Sequence, residues 1–282
     1  MVSMSKLRRT LLTEFMMAAP YQPATNFWKA VEIEEVIKYG LPNGRGLDLG
    51  CGDGHLIAIV LGHVGSRELV GLDIDPRETA LAHARNIYRE VVTVPADHLP
   101  FSDSQFDFVF SNSVLEHIPN IEGVLIEVAR VLKPGGRFLF TVPGADFHRC
   151  LRGPRIFGSR ERYLRETDAR CFHLRYWDAS HWSEYLRKAG LIQVHEHEYL
   201  SMSQMRRWES IARNTSGILY NMFGKKKQPI EIQRLLHVRN LRMRLPRYLS
   251  SLIAGALDLE SRPEEQFHGC LLIEARKAAV TS

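Results

Sequence analysis

Between residues 46 and 143, short apolar runs alternate with stretches whose apolar residues recur every three to four positions. That is the mark of strands interleaved with amphipathic helices. Gly46 to Leu49 predicts a first strand, ending at glycines that open a helix over about Asp53 to Leu61. Glu68 to Asp73 predicts a second strand, and Pro76 stands where a helix begins, a position at which its missing N–H is no loss. Glu90 to Val94 and Phe106 to Ser111 predict a third and a fourth strand. Helical spacing from Ile121 to Leu132 stops before Lys133-Pro134-Gly135-Gly136, a helix-ending turn, and Arg137 to Val142 predicts a fifth strand. The alternation implies an α/β fold with a doubly wound, mainly parallel sheet. Such sheets bind ligands beyond the carboxyl ends of their strands, where strand order reverses.

Outside this stretch the pattern is looser. An N-terminal helical segment occupies 1–44, and 144–177 reads as a long linker dense in arginine and aromatics. Ser180 to Ala189 predicts a helix ended by Gly190, leading into a strand from Leu191 to Tyr199. Residues 203–264 read as a helical insertion before a last strand, His268 to Arg276. The expected organisation is therefore a core of 45–202 and 265–282, with 203–264 as insertion or lid.

Composition changes this picture little. Four scattered cysteines without metal-ligand spacing fit thiols in a reducing compartment, and no metal is expected. The 282 residues carry a net charge of +5, a weak signal for nucleic acid; RNA stays an alternative and DNA is not expected. No apolar run approaches the roughly 20 residues of a spanning helix. A cytoplasmic protein is expected, with peripheral membrane contact as an alternative.

The chemistry concentrates at Gly50-Cys51-Gly52-Asp53-Gly54. A strand running into such a turn and then a helix brings backbone N–H groups close to a ligand. Alone the signal is generic, and the acids around it sharpen it. Asp48 lies at the first strand's end, and Asp73, 23 positions after Gly50, closes the second, where an acid can accept from ribose hydroxyls. Carboxylates so placed repel a pyrophosphate and suit a cationic ligand without phosphate, such as S-adenosylmethionine rather than NAD. Asp97, in Ala96-Asp97-His98-Leu99-Pro100-Phe101, can accept from an adenine amino group.

GLDLGCGDGH (46–55), VGLDIDP (70–76), ADHLPFSDSQFDFVFSNSVLEHI (96–118) and LKPGGRFLFTVP (132–143) together resemble class I S-adenosylmethionine-dependent methyltransferases. The nearest branch is the small-molecule one that includes ubiquinone-type and sugar methyltransferases. The resemblance implies a Rossmann-like, seven-stranded sheet whose last strand, here His268 to Arg276, is antiparallel. It implies that Asp48, Gly50 and Gly52 cradle the methionine part and Asp73 binds ribose with Ile74 beside the adenine. It further implies that Asp97 and His98 contact the base and Asn112 lines the pocket.

Methyl transfer needs an aligned nucleophile and excluded water, and an oxygen or carbon nucleophile can need a general base. His117 is the candidate base, with a backbone-tied histidine at a helix start as the equal alternative. His148, His173, Tyr176 and His181 are weaker candidates in segments expected to cover the site. Ser111-Asn112-Ser113-Val114 lacks the Pro-Pro-aromatic turn of amino-group methyltransferases. That favours oxygen or carbon of a small molecule, or of a glycan or lipid-linked intermediate, as acceptor. Arg149, Arg152, Arg155, Arg160, Arg162 and Arg165, with Phe157 and Tyr163, form either an anion-binding cap or a solvated basic loop. Lys225-Lys226-Lys227 reads as a solvated loop. Leu245 to Leu259, with Arg242, Arg244 and Arg247 at its start, reads as a lid, a dimer contact or a membrane-surface helix. Either a monomer or a homodimer fits. The functional alternatives are an NAD-dependent oxidoreductase and a non-catalytic S-adenosylmethionine-binding regulatory protein.

Overall fold

The computed structural model describes residues 5–154, 158–222, 229–235, 245–257 and 266–279. In chain order, α1 (Lys6–Ala18) and α2 (Pro23–Tyr39) precede β1 (Arg45–Leu49), α3 (His55–Val64), β2 (Glu68–Asp73) and α4 (Pro76–His83). Then come β3 (Glu90–Thr93), β4 (Phe106–Asn112), α5 (Ile121–Val131) and β5 (Leu132–Pro143). The short α6 (Phe147–Cys150), α7 (Arg160–Cys171) and α8 (Ala179–Lys188) lead to β6 (Leu191–Ser201). Helices α9 (Met202–Asn214), α10 (Ser216–Met222), α11 (Pro229–Leu235) and α12 (Arg247–Leu257) precede β7 (His268–Lys277).

The seven strands form one sheet in the order β3-β2-β1-β4-β5-β7-β6. β1 runs parallel to both β2 and β4, so strand order reverses at β1, and β7 pairs antiparallel with β5. Both expectations from sequence, the doubly wound sheet and the antiparallel last strand, are met. The sheet is buried on both faces, with Leu47, Leu49, Val109, Phe138 and Phe140 fully inside. Trp182 of α8 packs on Phe140 at a ring distance of 5.1 Å. Local chemistry sets the helix starts: Asp75 caps α4 ahead of Pro76, and Asn120 caps α5 by accepting from the Gly123 N–H at 3.2 Å.

Two expectations fail. Lys133-Pro134-Gly135-Gly136 is no separate turn: α5 does end at Val131, but β5 begins at once and absorbs these residues. Its pairing with β4 is irregular between Phe106 and Phe108, and Gly135 takes φ +74°, a bulge that a helix-stop pattern cannot distinguish from a turn. The supposed linker 144–177 contains α6 and α7, the latter capped by Ser159 accepting from the Arg162 N–H. Its apolar content is too low for hydrophobic periodicity to announce a helix; local capping and i,i+4 ion pairs such as Arg162–Glu166 at 3.0 Å support it.

The chain divides into two compact units, one of Val36–Ala145, Leu174–Glu198 and Cys270–Ser282, which holds the sheet, and one of Met1–Glu35, Asp146–His173 and Tyr199–Gly269. Within the second, α1 packs on α12. Trp208 meets Trp28 and Phe147 edge-on at 5.2 and 6.0 Å. The buried Glu209 carboxylate accepts from the Tyr163 hydroxyl at 2.6 Å, Arg213 Nη2 at 2.6 Å and the Arg152 N–H at 3.0 Å. A buried carboxylate held by this many donors ties Arg152 and Tyr163 to α9.

Candidate active site: an acid-lined glycine turn

The turn after β1 is shaped by three glycines with positive φ: Gly50 at +80°, Gly52 at +52° and Gly54 at +71°. A side chain at Gly50 would put its Cβ 2.3 Å from Val114 Cγ2, so the position is closed. At Gly52 no atom lies within 4 Å of a Cβ position, so the turn faces open space there. Gly54 and Gly71 are glycines for another reason. The Tyr88 ring lies 3.0 and 3.1 Å from where their Cβ atoms would stand.

The backbone N–H groups of the turn do not point at a ligand as the sequence suggests. Those of Gly50 and Cys51 both donate to the Leu72 carbonyl, at 2.8 and 2.9 Å. Gly52 N–H donates to Asp73 Oδ2 at 2.9 Å, Gly54 N–H to the Cys51 carbonyl at 3.0 Å and His55 N–H to Asp53 Oδ1 at 3.0 Å. A phosphate at a helix N-terminus needs free amides; these five are engaged, and three carboxylates line the turn instead.

Each carboxylate has its own environment. Asp48, in β1, is 4% exposed and accepts from the Tyr88 hydroxyl at 2.6 Å. Burial pushes its carboxyl up to about 7, against the pull of that hydroxyl, and neighbouring Asp73 adds to the rise. The Cys51 thiol beside it is pushed up as well, by burial and by Asp48. Asp73 Oδ1 accepts from the Asp75 N–H at 2.9 Å; with the Gly52 bond, two of its roughly four acceptor sites are used. Burial raises its carboxyl too. Asp53 is paired with Arg85, whose Nε donates to the Asp53 carbonyl at 2.5 Å.

The remaining predicted residues fall around the ends of β2, β3 and β4. Ile74, next to Asp73, is 70% exposed. Asp97 accepts from Asn120 Nδ2 at 2.9 Å and pairs with His98 at 3.2 Å, which holds its carboxyl below the usual range. His98 itself is largely exposed. Asn112 donates to Thr141 Oγ1, which also receives the Ser113 N–H at 3.1 Å. His117 ends a 3-10 turn, Leu115–His117, and its N–H donates to the Val114 carbonyl at 3.0 Å. Its ring is about one-third exposed and lies 3.9 Å from the buried Glu116. The turn's main brace, Tyr88, was missed. It lies in an irregular segment with no periodicity, and only the unexplained Gly71 inside a strand hinted at a bulky neighbour.

Elsewhere, His148 Nε2 pairs with Asp168 at 2.7 Å and His181 Nδ1 with Asp178 at 2.8 Å. Of the arginines beyond β5, four have side-chain partners within the protein: Arg149 with Asp146, Arg160 with the His148 carbonyl, Arg162 with Glu166 and Arg165 with Glu161. Arg155, Phe157, Lys225, Lys226, Lys227, Arg242 and Arg244 lie outside the described residues.

Fold and turn together define a Rossmann-like sheet with a carboxylate-lined glycine turn at the point where its strand order reverses. Residues 47–140 match the family described as a methyltransferase domain, and this stretch is similar to S-adenosylmethionine-dependent methyltransferases. A sterol 24-C-methyltransferase of Schizosaccharomyces pombe is 39% identical over 103 residues, 34% of this chain and 27% of that protein. A Mycolicibacterium smegmatis protein named a probable S-adenosylmethionine-dependent methyltransferase is 34% identical over 149 residues, 51% of this chain and 50% of its own. The matched region thus spans about half or less of these curated relatives. A SAM-dependent methyltransferase structure from Thermotoga maritima superposes with a TM-score of 0.54 at 18% identity, covering 96% of this chain and 98% of its own. That likeness carries the fold.

Proposed function

We propose that the chain transfers a methyl group from S-adenosylmethionine to an oxygen or carbon of a small molecule, most simply a glycan or lipid biosynthetic intermediate. One observation carries this reading: the glycine turn offers carboxylates and open space at Gly52, with the amides of Gly50, Cys51, Gly52 and Gly54 already engaged. That combination favours a cationic, phosphate-free ligand over NAD, whose pyrophosphate would meet Asp48 and Asp73.

S-adenosylmethionine, when bound, would supply a methyl carbon activated by its sulfonium. The chain's residues have to hold, orient and shield. Asp48 and the turn would receive the methionine ammonium, Asp73 the ribose hydroxyls, Ile74 one adenine face and Asp97 the adenine amino group. His98 would flank the base and Asn112, fixed by Thr141, would line the methyl side. His117 would take the acceptor's proton. The sterol methyltransferase relatives support a lipid-like acceptor, for which peripheral contact with a membrane is apt.

Release of S-adenosylhomocysteine from S-adenosylmethionine, followed with glycan- and lipid-enriched acceptor fractions, tests the reading. Acceptor-dependent release supports it. Cofactor binding with no release on any fraction would favour a non-catalytic, regulatory role.

A further inference from the structure

The helical insertion is where the chain keeps its positive charge. Residues 203–264 contain twelve Lys and Arg against five Asp and Glu, a net of +7, whereas the whole chain carries +5. The remainder is therefore slightly acidic, and what looked like a mild overall excess is a local one.

Helix α12 lies in this insertion and is apolar on two sides. Its buried side carries small residues, Ser250 and Ala254, and packs on α1. Small residues four apart let two helices approach closely. Its other side carries Tyr248, Leu249 and Leu252, which fall on one face at i, i+1 and i+4. They are 66%, 36% and 67% exposed, respectively. An ordinary surface helix turns charged residues outward; this one turns outward a tyrosine and two leucines.

Its rim is basic. Arg247 stands at its N-terminus, exposed. Arg9 of α1 reaches within 3.5 Å of the Cβ position of Gly255. Arg207 of α9 donates to the carbonyls of Ala256 and Leu257, closing the C-terminal end, where a cation also meets the negative end of the helix dipole. An apolar strip framed by arginines at both ends has the chemistry of an interfacial helix on an anionic bilayer. The leucines enter the acyl boundary, the tyrosine sits at headgroup level, and the guanidinium groups meet phosphates. A second copy of this chain fits less well, because two such rims facing one another would set arginine against arginine.

We infer that the outer face of α12, with Arg9, Arg207 and Arg247 around it, docks the protein on an anionic lipid surface. The inference deepens the lipid-acceptor reading but is tested without turnover. Flotation is compared for vesicles of phosphatidylglycerol and phosphatidylcholine in equal parts and for pure phosphatidylcholine, using the full chain and Leu252→Asp. Because Leu252 is exposed, the variant should keep its melting temperature; Arg247→Glu provides a second, purely electrostatic change. The expected result is partitioning onto the anionic vesicles only, weakened about tenfold or more in Leu252→Asp and by salt near 0.5 M. Arg247→Glu should also weaken it. Equal partitioning of wild type and both variants, or none onto anionic vesicles, would overturn the inference. So would a dimer in solution that Leu252→Asp dissolves, since the face would then belong to a second copy. Vesicle binding in a protein that fails to bind S-adenosylhomocysteine would remove the cofactor reading and leave this one standing.

Discussion

The Tyr88 hydroxyl donates to the Asp48 carboxylate at 2.6 Å, across 40 positions of sequence, and the Tyr88 ring fills the space left by Gly54 and Gly71. One side chain thus braces the end of β1, the middle of β2 and the glycine turn. Tyr88→Phe keeps the ring and removes the donor. The hydroxyl holds the Asp48 carboxyl down, so its loss should raise that group above about 7. Affinity for S-adenosylhomocysteine, whose ammonium needs an ionised Asp48, should then decline at a higher pH than in wild type. Titration calorimetry between about pH 6 and 9 checks this. An equal loss at every pH would reduce Tyr88 to a packing role.

Asp48 also carries a stability signature. Its folded-state value, about 7, lies above the ordinary 3.8, so the folded protein holds this proton more tightly than the unfolded chain. Stability from this group is greatest below about pH 4 and is lost as pH rises through 7, by up to about 1.4 kcal/mol per pH unit. Asp48→Asn should therefore melt higher than the ligand-free wild type at pH 8, with the difference narrowing toward pH 5, and should bind cofactor poorly. Thermal melts of both proteins across that range are the check. A variant that melts lower at pH 8 would contradict the account.

Gly50 and Gly52 should part company on substitution. Gly50→Ala places a methyl 2.3 Å from Val114 Cγ2 and should unfold or strongly destabilise the sheet unit. Gly52→Ala meets nothing within 4 Å and costs only about 1–2 kcal/mol for its left-handed backbone. It should fold, yet fail to bind S-adenosylhomocysteine, because its methyl enters the space assigned to the cofactor. Circular dichroism melts paired with binding titrations separate the two outcomes.

Asp73→Ala leaves the Gly52 and Asp75 N–H groups without their acceptor, a loss of about 1–3 kcal/mol. Cofactor affinity should fall at least about tenfold, from the lost ribose contacts and the loosened turn together. Asp73→Asn keeps one amide oxygen for a single backbone donor and should fall between. Unchanged affinity in the alanine variant would take Asp73 out of the ribose role.

The sheet was legible because its strands are continuous apolar runs bounded by Gly and Pro, from Leu47 and Leu49 through Phe138 and Phe140. The acids were legible because Asp48 and Asp73 sit at strand ends, where chain position alone places them near the turn. Tyr88 was not, since its role depends on a tertiary contact that leaves no periodic trace. Nor was the engagement of the turn's amides by Leu72 and Asp73: spacing gives the glycines but not the direction of their N–H groups. Helix α6 escaped because it is a single turn held by Phe147 and Cys150, too short to show a period, and α7 escaped because Arg160 to Arg170 reads as charge.

The central claim, a turn made for a cationic adenosyl ligand without phosphates, is tested most directly by calorimetric titration of the full chain with S-adenosylhomocysteine and, separately, with NAD. The account predicts one-to-one binding of S-adenosylhomocysteine and none of NAD. Binding of NAD with no response to S-adenosylhomocysteine would contradict it.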